Sequence, residues 1–99
     1  MNRLKIQARI IEKSALRYTP AGIPIATATL SHHSTQTEAN AQRMTELEIQ
    51  AVAAGEIAGR FDQLPFDTEL EFSGFLARKN HNSKSLVFHI TDFGTNLQD

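Results

Sequence analysis

Hydrophobic and polar residues alternate along the first segment of the chain. The apolar positions are Leu4, Ile6, Ala8 and Ile10, and the polar positions are Arg3, Lys5, Gln7 and Arg9. A period of two is typical of a strand that buries one face. We therefore predict a strand over residues 3–12, with a cationic outer face.

The rest of the chain predicts four further strands and one helix. The strands are predicted over residues 23–31, 43–53, 68–78 and 86–93. Ile57, Phe61 and Leu64 fall at helical spacing before Pro65, which predicts a short helix between the third and fourth strands. Residues 32–42 are polar and non-periodic, which predicts a long, mobile loop.

This order of elements predicts an all-β fold, the five-stranded OB-fold barrel with a short helix between strands three and four. OB folds bind oligonucleotides across strands two and three and through the loops that join strands one to two and four to five. In this chain those loops are residues 14–22 and 79–85. A length of 99 residues fits one such domain, and we expect a single OB-fold domain over residues 1–99.

The second of these loops carries a local positive charge. The chain has a net charge of −1, yet Arg78, Lys79 and Lys84 cluster at this loop and no acid lies between Glu71 and Asp92. A cationic loop on a nearly neutral domain indicates an anionic partner such as a nucleic-acid backbone. Lysines at a hairpin tip also keep an edge strand from aggregating, so both interpretations stay open.

We predict that nucleic acid is bound by residues of both loops and of the strand ends beside them. These residues are Lys13, Arg17, Tyr18, His33, Arg78, Lys79 and Lys84. The basic side chains would contact phosphates. Tyr18 beside Arg17 suits stacking on a base, and its alternative role is that of a hydrophobic cap at the barrel mouth.

No pattern in the sequence predicts an enzyme, a cofactor site or a metal site. The chain has no cysteine, and it shows neither a glycine-rich phosphate loop nor a nucleophile elbow. His32 and His33 are adjacent, so on a strand they would point to opposite faces and make a poor metal pair. We expect no cofactor and no small-molecule substrate. No signal-peptide or membrane-span pattern is present, which predicts a cytoplasmic protein without membrane contact.

Several short segments, taken in order, resemble a known family. They are Asn2-Arg3-Leu4, Pro20-Ala21-Gly22-Ile23-Pro24, Leu30-Ser31-His32-His33-Ser34, Glu38-Ala39 and Leu70-Glu71-Phe72-Ser73-Gly74-Phe75. Their order and spacing are similar to those of bacterial single-stranded-DNA-binding OB proteins. Within that group the chain looks most like the primosomal replication protein N family, and the match covers nearly its whole length.

This resemblance implies a role in replication restart. It implies binding of single-stranded DNA, work with the restart helicase and other primosome proteins, and association with the bacterial nucleoid during restart. It also implies a homodimer formed through the first strand. That strand has no proline to block edge pairing, and we predict a dimer interface at Leu4, Ile6, Ala8 and Ile10.

Two positions depart from the family pattern. Relatives can carry aromatic residues where this chain has Ala41 and Glu46. One base–aromatic stack contributes about 1–3 kcal/mol, so weaker single-strand binding is expected here. The predicted function is a non-enzymatic, single-stranded DNA-binding accessory protein that stabilises or stimulates the restart helicase at stalled forks. The alternative is an OB protein-interaction module with little or no nucleic-acid binding.

Overall fold

The structure is a computed structural model that describes residues 1–95. Its strands are β1 (Leu4–Lys13), β2 (Arg17–Tyr18), β3 (Pro24–Glu38), β4 (Ala41–Ala54), β5 (Leu70–Arg78) and β6 (Leu86–Thr95), and its helix is α1 (Glu56–Asp62). The long strands and the helix follow one another in the order predicted from the sequence. The short strand β2 lies in the segment predicted as the first loop.

The five long strands form a closed barrel because β1 pairs on both sides of the sheet. Its first half, Leu4–Ala8, pairs with β5, and its second half, Arg9–Lys13, pairs with β3. The barrel is completed by antiparallel β3–β4 and β5–β6 pairs and by a short parallel pairing of β4 with β6. With α1 between β4 and β5, this arrangement confirms the predicted OB fold.

Small and large side chains share the barrel interior, as is common in narrow barrels. The small ones are Ala8, Ala26, Ala28, Ala51 and Ala53, and the largest fully buried ones are Ile10, Leu30, Phe61, Phe72 and Phe88. Phe61 projects from α1, and the centre of its ring lies 6.0 Å from that of Phe72 and 6.2 Å from that of Phe93, both edge-on. This aromatic cluster joins the helix to the barrel.

The predicted loop over residues 32–42 is wrong, because most of this segment belongs to a long β-hairpin. Strands β3 and β4 stay in register from Ile25 opposite Ala54 to Glu38 opposite Ala41. Ala39 and Asn40 turn the chain with φ values of 52° and 62°, as a tight two-residue hairpin turn requires. Beyond Ser31 the hairpin leaves the barrel, so neither face is fully buried and the sequence shows no hydrophobic alternation.

The side chains of the predicted dimer interface contribute to the barrel core. Ala8 and Ile10 are 2% and 0% exposed inside the barrel, and Leu4 and Ile6 pack against the same core. These side chains therefore stabilise the protomer, and the predicted dimer interface on this strand stays a prediction. Leu4–Ala8 pairs with β5 through one of its two backbone edges.

Candidate nucleic-acid interface

A groove of about 420 Å³ crosses the outer surface of the barrel over β3, β4 and β6. It is lined by Arg17, Thr27, Gln50, Ala51, Val52, Lys79, Ser85, Leu86, Val87 and His89. This is the surface that OB folds use for oligonucleotides. Two cations from separate loops, Arg17 and Lys79, therefore lie at one groove.

Arg17 reaches the groove because the loop over residues 14–22 folds back along β3. Arg17 pairs with Ile25 in the two-residue strand β2. The loop is then closed by hydrogen bonds from the Thr19 amide to the Ile23 carbonyl at 2.9 Å and from the Gly22 amide to the Thr19 carbonyl at 2.8 Å. Gly22 has a φ of 84°, which glycine adopts without strain.

Tyr18 does not line this groove, although it follows Arg17 directly. Adjacent residues of a strand point to opposite faces. Its ring is 64% exposed, and Tyr18 pairs with Pro24 across β2 and β3. Arg17 and Tyr18 therefore point to opposite faces of β2, and stacking of Tyr18 on a base stays a prediction.

Lys79 begins a compact loop between β5 and β6. Its amide donates to the Ser85 carbonyl at 2.9 Å, which closes the base of the loop. Within the loop, the Asn80 side-chain oxygen accepts from the Asn82 amide at 2.9 Å. Arg78 and Lys84 are exposed at this loop but do not line the groove. They add positive charge near its rim.

A chain of polar side chains lies beside the groove and joins three strands. The Gln50 amide donates to the Thr29 hydroxyl at 3.0 Å, and that hydroxyl donates to the Glu12 carboxylate at 3.3 Å. Because Thr29 is only 7% exposed, this network fixes the Gln50 side chain at the groove wall. It also places one carboxylate close to the groove.

His33 lies farther along the outer face of the hairpin, about 20 Å from Thr27 at the spacing of an extended strand. It is opposite Glu46, and a shallow depression beside it is lined by Glu46 and Glu48 among others. Two acidic side chains therefore share this depression with His33. The predicted contact of His33 with DNA lacks the cationic neighbours that Arg17 and Lys79 have.

The structure gives Lys13 a different environment from the one predicted. Its ammonium donates to the carbonyl oxygens of Asp62 at 2.9 Å and Leu64 at 2.8 Å, and it lies 5.0 Å from the centre of the Phe66 ring. These contacts fix the end of α1. The Lys13 ammonium is therefore engaged within the fold. Lys13 also lines a depression of about 490 Å³ that shares Thr27 and Gln50 with the groove.

Sequence reasoning missed most of the groove floor. Thr27, Gln50, Val52 and His89 carry no charge pattern that separates them from other strand residues. Only the strand register brings them together. The one available signal was the row of alanines at every second position of these strands. If the alanines are buried, the residues between them face outward.

The adjacent histidines do not form a metal site in residues 1–95. His32 contacts the carbonyl oxygen of Gln7 at 2.6 Å and the Ser34 hydroxyl at 2.8 Å. No three His, Cys, Asp or Glu side chains in these residues come together as metal ligands. No helix in this part of the chain has the length and apolar character needed to cross a membrane.

The fold defines a class, the OB-fold proteins, and its groove lies on the face that such folds use for oligonucleotides. A family model described as "another single-strand binding protein family" matches residues 2–92. A solved single-stranded-DNA-binding domain from Synechococcus superimposes with a TM-score of 0.71 over 95% of this chain and 94% of that one, at 20% identity. At this identity the likeness shows the fold alone.

More specific relatives carry the name replication restart protein PriB. The protein of that name from Nitrosomonas europaea is 41% identical over 92% of this chain and 84% of its own length. A solved PriB structure from Ralstonia solanacearum has a TM-score of 0.89 and 40% identity, covering 98% of this chain and 99% of that one. This chain therefore belongs to the PriB family of replication restart proteins, as its resemblance to primosomal replication protein N implied.

Proposed function

We propose that this chain is a non-enzymatic, single-stranded DNA-binding accessory protein of replication restart. It acts as a single domain in the bacterial cytoplasm and joins the nucleoid during restart. The observation that carries the proposal is the groove over β3, β4 and β6, where Arg17 and Lys79 flank the oligonucleotide-binding face of the OB fold. The family relationship gives the DNA its cellular setting.

The groove suits a single strand because it combines cations with apolar wall. The guanidinium of Arg17 and the ammonium of Lys79 would contact phosphates, with Arg78 and Lys84 adding charge at the rim. Val52 and Val87 would lie against the faces of bases. Such contacts follow the backbone and tolerate any sequence.

Acidic side chains limit how far a strand can follow the sheet. Glu46 and Glu48 precede Gln50 on the outward face of β4 and line the depression beside His33. The position of Ala41, near the hairpin turn, also offers no ring. We infer that DNA stays close to the barrel and that its affinity is lower than in relatives with aromatic residues at these positions.

Work with a restart helicase completes the proposed role. A protein that holds exposed single strand and a helicase together raises the effective concentration of each for the other. DNA and helicase can instead compete for the same basic loops, in which case the DNA is handed from one to the other. Pairing of two chains through the edge of β1 that faces away from β5 would double the number of DNA grooves in one particle.

A salt titration tests DNA binding directly. The parent should bind a fluorescent oligothymidylate with an affinity that falls steeply with salt. In Arg17→Gln/Lys79→Gln the slope of log K against log salt should flatten by about 1.4, because each phosphate contact on a single strand contributes about 0.7. The control Arg43→Gln/Arg60→Gln removes the same charge at exposed positions outside the groove.

The outcomes separate the two function classes. A flattened slope in the groove variant with a parental slope in the control supports DNA binding at this groove. Equal slopes in all three proteins would remove the groove from the proposal. A parent that does not bind at low salt would favour the protein-interaction module.

A further inference from the structure

Two aromatic rings at the wall of the groove stack face to face. The centres of the Phe75 and His89 rings lie 4.8 Å apart, and their planes differ by 4°. Phe75 is 39% exposed. His89 also lines the groove that holds Arg17 and Lys79. The stacked pair therefore begins at the wall of the groove and extends beyond it.

The backbone beneath this pair is built for a close approach of β5 and β6. The register between the two strands shifts at Ser73 and Gly74, and Phe75 then lies directly opposite His89. A Cβ atom on Gly74 would overlap the carbonyl oxygen of His89. The Thr91 hydroxyl donates to the Ser73 carbonyl at 3.3 Å across the irregularity. A glycine and a bulge therefore hold the two rings in register.

A second depression, of about 430 Å³, has Phe75 in its lining and not His89. It is lined by Asn2, Arg3, Lys5, Ser73, Gly74, Phe75 and Thr91. The Asn2 side chain fixes the N-terminal residues there, since it donates to the Leu76 carbonyl at 2.6 Å and accepts from the Leu76 amide at 3.0 Å. Arg3 is thereby placed beside the exposed Phe75 ring.

Two basic residues, Arg3 and Lys5, line this depression, and an acidic side chain neutralises the charge of Lys5. The Lys5 ammonium lies 3.9 Å from the Glu71 carboxylate, and both side chains are largely solvated. Arg3 is exposed and directly precedes β1, two residues before Lys5. An arginine beside an aromatic ring matches the alternation of phosphate and base in a single strand.

We propose that the Phe75–His89 pair is a second stacking platform for nucleobases and that Arg3 contacts the phosphate beyond it. A single strand would leave the groove at His89 and cross β6 and β5 towards β1, about 10 Å farther around the barrel at the spacing of two strands. This inference rests on the proposed DNA binding and gives its path a direction. It takes the strand away from the acidic hairpin face of Glu46 and Glu48.

Oligonucleotide length separates this platform from the groove. We would compare oligothymidylates of about 5 and about 15 nucleotides, which span the site sizes of single OB folds. Phe75→Leu keeps an apolar side chain but removes the aromatic face. It should weaken binding of the long oligonucleotide by roughly 5- to 140-fold, the value of one base stack, and leave binding of the short one at parental affinity. Arg3→Gln should reduce only the salt slope of the long one, by about 0.7.

A matched control and a second measurement complete the test. Phe66→Leu changes another exposed ring, 51% accessible and beside Lys13, and should alter neither affinity. Phe75→Trp should show fluorescence quenching with the long oligonucleotide and little with the short one.

Parental binding of both lengths by Phe75→Leu, or an unquenched Phe75→Trp with bound long oligonucleotide, would overturn the platform while leaving the groove intact. If Arg17→Gln/Lys79→Gln no longer binds either oligonucleotide while Phe75→Leu keeps the parental dependence of affinity on length, the platform alone would likewise be overturned. A parent that binds neither length would overturn the proposed function and the platform together.

Discussion

The ammonium of Lys13 donates to the carbonyl oxygen of Asp62 at 2.9 Å, at the point where α1 ends. A helix of 7 residues has little stability of its own, because few hydrogen bonds offset the cost of its first turn. A cation at its C-terminal end satisfies carbonyl groups and complements the helix dipole. One lysine of β1 thus ties the barrel wall to the helix that carries Phe61.

Replacing Lys13 should therefore affect stability and not DNA binding. In Lys13→Met the apolar stem remains, but the bonds to the Asp62 and Leu64 carbonyls are lost. We expect the free energy of unfolding to fall by about 1–3 kcal/mol, with an unchanged salt slope of oligonucleotide binding. Urea denaturation and a salt titration measure the two quantities.

Lys84→Met is the matched control, since this exposed lysine has the same charge and length at the rim of the groove. It should leave stability within about 0.5 kcal/mol of the parent. A Lys13→Met protein with parental stability and a flattened slope would restore the predicted DNA contact of Lys13.

The fold was predictable wherever one face of a strand is buried. Alternation in β1 is visible because Ala8 and Ile10 lie in the core while Lys5 and Gln7 face outward. The hairpin beyond Ser31 has no such contrast, so its pairing left no pattern to recognise. There, strand formation follows from continuation of the ladder and from the turn at Ala39 and Asn40.

The candidate site was predictable only in its charges. Lys79 and Arg17 could be found because OB loops fall at known points of the strand order, and both reach the groove. The role of Lys13 could not be found, since it depends on Asp62, which is 49 residues away in the sequence. The stacked pair of Phe75 and His89 depends equally on a register that only the folded sheet defines.

Removing the acids of the hairpin face should strengthen DNA binding. Glu46 and Glu48 lie on the outward face of β4, beyond the groove residue Gln50. At about 10 Å from a phosphate each charge costs about 0.4 kcal/mol in water. Glu46→Gln/Glu48→Gln should therefore raise affinity by about fourfold at low salt, and the gain should shrink as salt increases. Fluorescence anisotropy measures the change.

The control for this experiment is Glu56→Gln/Glu69→Gln, which removes the same charge at exposed positions outside the groove and the hairpin. The oligonucleotide affinity of this control should change by less than half as much as that of Glu46→Gln/Glu48→Gln. Equal gains in both double variants would mean that net charge alone, and not the hairpin face, sets the affinity.

A side chain at position 74 should destabilise the barrel. In Gly74→Ala the new Cβ would overlap the backbone carbonyl of His89, and a backbone atom cannot move aside as a flexible side chain can. We expect a loss of about 1–3 kcal/mol or more from overpacking, measured by urea denaturation. Gly94→Ala meets nothing within 4 Å, so it should cost less than about 1 kcal/mol. Equal stabilities for the two variants would contradict the close approach of β5 and β6.

Dimerisation should depend on the backbone edge of β1 that faces away from β5. The Gln7 carbonyl oxygen meets the His32 ring at 2.6 Å on that edge. Backbone groups two residues apart on a strand point to the same side, so the Lys5 amide also faces this edge. Proline at position 5 would therefore remove a hydrogen-bond donor from the edge. We expect light scattering to give twice the chain mass of 11.0 kDa for the parent. Lys5→Pro should shift towards one chain mass.

Lys5→Ala is the control for this change, because it loses the same ion pair with Glu71 but keeps the amide. It should scatter as the parent does. A parent of one chain mass would refute the dimer, and a dimeric Lys5→Pro would place the contact elsewhere.

Stimulation of the restart helicase should require DNA held in the groove. If the protein bridges exposed strand and helicase, each contact raises the effective concentration of the other, and Arg17→Gln/Lys79→Gln should lose most of the stimulation of forked-duplex unwinding.

Under hand-off, the helicase should displace a labelled oligonucleotide from the parent, whereas a bridge keeps it bound in a ternary complex. The control Arg43→Gln/Arg60→Gln should stimulate like the parent, because its changes lie outside the groove. Full stimulation by the groove variant after its DNA binding is lost would show that contact with the helicase alone is sufficient.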